Sequence, residues 1–150
     1  AKAAKELYGV VTRSGKVSKK ATQKQRQAVR LNRVGSFATD PAKFCHATPF
    51  AKLGDSLSLA RDERGTHVVS NAGYILATGN TGWRKGAVSQ TLDKLPKVQG
   101  ISLHAKLAVT AFYCPASGAL LAADVHRKDE TAGDDMLLEV ASTEKLASAA

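Results

Sequence analysis

The chain has 150 residues, 43% hydrophobic and 5% aromatic, with 22 Lys and Arg against 13 Asp and Glu, a formal net charge of +9. That length suits one domain with tails, large enough to bury a core without covalent staples. No run approaches the ~18 apolar residues of a membrane span, and Cys45 and Cys114 are too few for a disulfide framework. Without a legible secretory signal, these features predict a cytoplasmic protein with reduced thiols.

Residues 1–36 read as a basic N-terminal arm, extended or helical. From Leu7 to Thr39 there is no acidic residue, yet Arg13, Lys16, Lys19, Lys20, Lys24, Arg26, Arg30 and Arg33 all fall there. "KKATQKQRQAVRLNR" is rich in helix formers and Gly35 would stop the helix. Its apolar stripe is poor, so the helix is expected to be marginal until it docks. Such an arm suits an acidic surface, either a protein partner or a nucleic acid. Residues 9–36 hold no aromatic to stack on bases, although phosphate contacts alone would still allow non-specific binding. A larger acidic subunit is the favoured partner, with a basic, ribosome-associated nucleic-acid-binding protein as the alternative. Lys19, Lys20, Arg26, Arg30 and Arg33 are the arm's candidate contact residues.

Residues 37–130 read as a small, mostly β domain. Asp40 and Pro41 are an N-cap and first residue for one short helical turn. "LSLARDE" alternates, "RG" turns the chain, and "THVVS" and "YILAT" flank "NAG" as short strands. "GNTGWRKG" is a glycine-rich loop carrying the only tryptophan, Trp83, expected to pack into a partner or over the neighbouring turn. It lacks the spacing of a phosphate-binding loop. Residues 87–105 give no clear period. "KLAVTAFYCPASGALLAADV" reads as two strands around a tight turn. In the tail, residues 131–150, Met136 to Leu146 read as a short helix.

Two segments share one plan. "HVVSNAGYIL" and "AFYCPASGALL" are each an apolar run, a polar turn closed by glycine (Gly73, Gly118), and a second apolar run. Facing pairs of such knuckles build zinc ribbons, in which glycine supplies the positive φ that lets backbone amides point at thiolates.

At these residues the sequence resembles the small subunit of the acetone and acetophenone carboxylase family. The family pattern is a strand, Cys-x-Cys-Gly, a downstream Asn-x-x-Trp-Lys or similar, then Tyr-Cys-Pro-x-Cys-Gly-x-Leu. Val69, Gly73, Trp83, Tyr113, Cys114, Pro115, Gly118 and Leu120 fall on it in order, over residues 66–126. The four family cysteines map to Ser70, Ala72, Cys114 and Ser117, so three are changed. A serine hydroxyl is a poor zinc ligand and alanine is none. The fold expected is therefore zinc-ribbon-like with its metal ligands largely lost, closest to the acetophenone type, and zinc is not expected.

The resemblance implies a non-catalytic assembly subunit of an ATP-dependent, biotin-independent carboxylase that converts an aromatic ketone to a β-keto acid. Its partners would be large hydantoinase-like subunits, which would bind ATP and Mg²⁺ or Mn²⁺. Contact would run through the arm and Trp83.

Other chemistry is weakly signalled. A zinc site could be rebuilt from Cys45, His46, His67, His104, Cys114 and His126, with Cys114, His67, His104 and His126 the candidates nearest the knuckles. The bland alternative is a packed turn with a buried thiol. A nucleophilic Cys114 would need His104 or His126 as its base. Asp124, Asp129, Glu130, Asp134 and Asp135 read as a solvated acidic loop rather than a magnesium or acid-base site.

Overall fold

The computed structural model describes residues 2–92 and 104–131. The helix read at Met136–Leu146 and the carboxylates Asp134 and Asp135 lie outside the described residues. Among the described residues the architecture is mostly β: three small antiparallel sheets with two α-helices at the N-terminal end.

Helix α1 (Lys2–Tyr8) leads into a short hairpin of β1 (Thr12–Arg13) and β2 (Lys16–Val17), then into α2 (Lys19–Val34). Gly35 ends α2 at φ 75°, a conformation cheap only for glycine, and its N–H donates to Leu31 O at 2.8 Å. Thr22, a buried residue of α2, accepts from Val11 N–H at 3.0 Å. That bond ties the helix to the chain ahead of it. Asp40 Oδ1 accepts from Ala42 N–H at 3.0 Å and caps the 3₁₀ turn Pro41–Lys43, as the Asp-Pro pair predicts.

The first larger sheet is a meander of β3 (Ala51–Lys52), β4 (Leu57–Asp62), β5 (Gly65–Ser70) and β6 (Ile75–Thr78). The second joins β7 (Val88–Leu92), β8 (Leu107–Tyr113) and β9 (Leu120–Arg127) in that order. Strands β4, β5, β6, β8 and β9 match the alternating or apolar runs of the sequence. Strand β7 was not legible. It is an edge strand whose Ser89 and Thr91 face solvent, so it carries only a half-apolar pattern.

The main core lies between these two sheets and holds Leu57, Val68, Leu76, Ala77, Trp83 and Phe112. Trp83 is 3% exposed and meets Phe112 edge-on, ring centroids 5.9 Å apart. Residue by residue, β5 feeds both faces of its sheet. Val68 joins the main core, whereas Val69 joins a second cluster with Cys45 and Ala60. This follows from the period of two along a strand. It also explains why β5 is buried from Thr66 to Ser70.

Candidate functional site

The two glycine-closed turns meet. Cys114, fully buried, donates its thiol hydrogen to Ser70 Oγ at 3.2 Å. The turns share a plan, the second one residue longer than the first. Gly73 N–H donates to Ser70 O at 2.8 Å, and Gly118 N–H to Cys114 O at 2.7 Å. Their glycines sit at φ 74° and 61°. Ser70 Oγ accepts from Ala72 N–H at 3.3 Å, and Ser117 Oγ from Ala119 N–H at 3.4 Å. At Ser70 and Ser117, therefore, hydroxyls hold the amides of their own turns.

The basic helix docks on the second turn. Arg33 donates to Gly118 O at 3.3 Å and lies over the Tyr113 ring at 5.1 Å. Gln90 donates to Arg33 O at 3.0 Å, and Ala38 N–H to Pro115 O at 3.0 Å. A Cβ on Gly118 would run into the carbonyl of Arg30. Lys19, Lys20, Arg26 and Arg30 remain exposed. An open hollow of about 740 Å³ lies beside this contact, lined by Lys19, Arg26, Arg30, Phe37, Ala116 and Ser117 among others. Of the contact residues expected from sequence, Arg33 and Trp83 are thus engaged within the chain, and Arg26, though exposed, donates through Nε to Tyr8 O at 3.2 Å. Trp83 packs in the main core against Phe112, and Arg84 beside it pairs with Asp124 at 2.9 Å.

The ligand-type side chains are spread over separate places. His104 is exposed and accepts from Lys106 N–H at 3.2 Å. His126 Nδ1–H donates to Arg127 O at 2.8 Å, so its Nε2 accepts from the Thr110 hydroxyl at 2.8 Å. Neither forms the base that a nucleophilic Cys114 would require.

His67 and Cys45 do come together, and with a residue not foreseen, Asp62. Their ligand atoms all lie within 4.8 Å of one another. His67 is 1% exposed; its Nε2–H donates to Asp62 Oδ1 at 2.7 Å, and its Nδ1 meets Thr78 Oγ1 at 2.9 Å. Arg64 grips Asp62 Oδ2 through Nη2 at 2.6 Å and Nε at 3.1 Å. Hydrogen bonds from Arg64 first, and from His67 second, hold the Asp62 carboxyl well below the usual carboxylate range. The signal for this cluster was present in the hairpin register. The Arg64-Gly65 turn sets Ala60 opposite His67 and Asp62 opposite Gly65, two positions along the same face. Only the approach of Cys45, 22 positions away from His67 in the numbering, was beyond local pattern.

Compared with known proteins, the chain matches no protein-family model and no curated protein.

Proposed function

We propose that the chain is a non-catalytic assembly subunit of an ATP-dependent, biotin-independent ketone carboxylase of the acetophenone carboxylase type. Its knuckles would be a zinc-ribbon-like unit in which a packed thiol and hydroxyl stand where zinc ligands would be. The Cys114–Ser70 contact carries this reading. It brings face to face the two turn motifs on which the family resemblance rests.

The exposed cations Lys19, Lys20, Arg26 and Arg30 would meet acidic surfaces of the large hydantoinase-like subunits. ATP, its metal ion and the carboxylation chemistry would belong to those subunits. The chain would work in the cytoplasm, as an element that fixes how they assemble.

The test is to purify the chain from its native source and identify what elutes with it. Two large hydantoinase-like subunits are expected. Ribosomal proteins or RNA in their place would overturn the proposal and favour the nucleic-acid reading of the basic helix. ATPase or carboxylase activity from the isolated chain would overturn it as well.

A further inference from the structure

The geometry points to a zinc-type divalent-metal site formed by Cys45 Sγ, His67 Nε2 and Asp62 Oδ1. It is separate from the knuckles and does not depend on the assembly role. The three donors are a thiol, an imidazole and a carboxylate, the set that suits zinc. They lie within 4.8 Å of one another, with Cys45 6% and His67 1% exposed.

Each donor is held by a partner that leaves its ligating atom aimed at the others. The Arg64 guanidinium takes Asp62 Oδ2 and the Arg64 backbone N–H donates to Oδ1 at 2.9 Å, which fixes the carboxylate with the second lone pair of Oδ1 toward His67. The same guanidinium donates to Ala42 O at 2.5 Å and Phe44 O at 2.7 Å, fastening the segment that carries Cys45. Cys45 N–H donates to Gly73 O at 2.9 Å, which fixes that segment from the other side. Outer partners of this kind orient metal ligands and set their tautomer.

Thr78 completes the arrangement. In the metal-free imidazole the Thr78 hydroxyl donates to Nδ1 while Nε2–H donates to Asp62. A hydroxyl both donates and accepts, so the ring proton can move to Nδ1 and donate to Thr78 Oγ1. Nε2 then offers its lone pair without orphaning either group. One proton leaves on metal binding, from the Cys45 thiol. The Nε2 to Oδ1 separation opens from 2.7 Å to about 3.3 Å, as metal bonds of about 2.0–2.1 Å at a tetrahedral angle require. A fourth position is left for solvent. A hollow of about 370 Å³ lined by Arg64, His67, Tyr74 and Thr78 borders the His67 side of the site.

Cobalt(II) titration of the metal-free full-length chain tests this. One equivalent is expected to produce tetrahedral visible bands and a thiolate-to-cobalt charge-transfer band, both erased by excess zinc. Cys45→Ser should abolish the charge-transfer band, and His67→Gln should weaken binding tenfold or more. Cys114→Ser should leave both bands in place. Zinc should raise the Tm of wild type and Cys114→Ser but not of Cys45→Ser. Absence of a charge-transfer band in the wild-type chain would overturn the inference. So would a band that survives Cys45→Ser or disappears in Cys114→Ser.

Discussion

The thiol of Cys114 and the hydroxyl of Ser70, 44 residues apart in the chain, meet at 3.2 Å with both side chains buried. One hydrogen bond thus joins the end of β8 to the end of β5, in the place where the family resemblance expects two thiolates. Cys114→Ala removes the sulfur, its packing and that bond. A loss of about 1–3 kcal/mol is expected, from the small cavity and the unmade hydrogen bond together. Urea denaturation measures it, and an unchanged midpoint would show that the contact contributes nothing.

The proposed knuckle geometry predicts that cysteines at the four mapped positions bind zinc. A Ser70→Cys, Ala72→Cys, Ser117→Cys triple variant, which keeps Cys114, is expected to bind about one zinc per chain more than wild type, held as a tetrathiolate. Metal analysis after gel filtration would read this. A triple variant that folds but takes up no additional zinc would show that the turns do not have knuckle geometry.

Gly118 is expected to be intolerant for two separable reasons. It holds φ 61°, and its missing Cβ makes room for the backbone of Arg30. Gly15 and Gly35 share the positive φ, at 76° and 75°, but a Cβ at either would have no neighbour within 4 Å. Gly15→Ala and Gly35→Ala should therefore cost about 1 kcal/mol of backbone strain. Gly118→Ala should cost at least ~2 kcal/mol more, because the helix backbone must move to admit the methyl group, and should release α2 from the second turn. Thermal melts rank the three variants, and limited proteolysis within α2 reports its release. Equal losses in all three would mean that the helix does not seat on Gly118.

Acid stability should depend on Asp62. Its carboxyl titrates well below the ordinary range because Arg64 and His67 donate to it. A depressed carboxylate contributes stability that is full above the unfolded value, about 3.9, and lost as pH falls through the folded value. Asp62→Asn should thus be less stable than wild type at pH 7, with the gap narrowing below about pH 4. Denaturation midpoints at pH 7 and pH 3 give the comparison. A gap that stays constant would mean the carboxylate is not held by these partners.

Much of the local structure was legible in the residues alone. Alternation marked β4, and short apolar runs bounded by turn residues marked β5, β6, β8 and β9. Asp40-Pro41 marked the 3₁₀ turn, and Gly35 marked the end of α2. Gly73 and Gly118 marked turns that need a positive φ. Each of these is decided by a residue's own backbone preference or by the period of its neighbours. Strand β7 escaped because an edge strand with one solvated face and a short length carries little periodic signal.

The sequence by itself marked β4, β5, β6, β8 and β9, the turns between them and the basic character of α2, but not α1, the β1–β2 hairpin, β3 or β7. Only the tertiary structure decided what those segments touch. It buried Trp83 against Phe112, seated the last turn of α2 on Gly118, and gathered Cys45, Asp62 and His67 around Arg64. The reason is physical. Periodicity names the apolar face of an element but not the surface that covers it. That surface is selected by side-chain fit and by hydrogen bonds between residues far apart in the chain, for which local pattern holds no record.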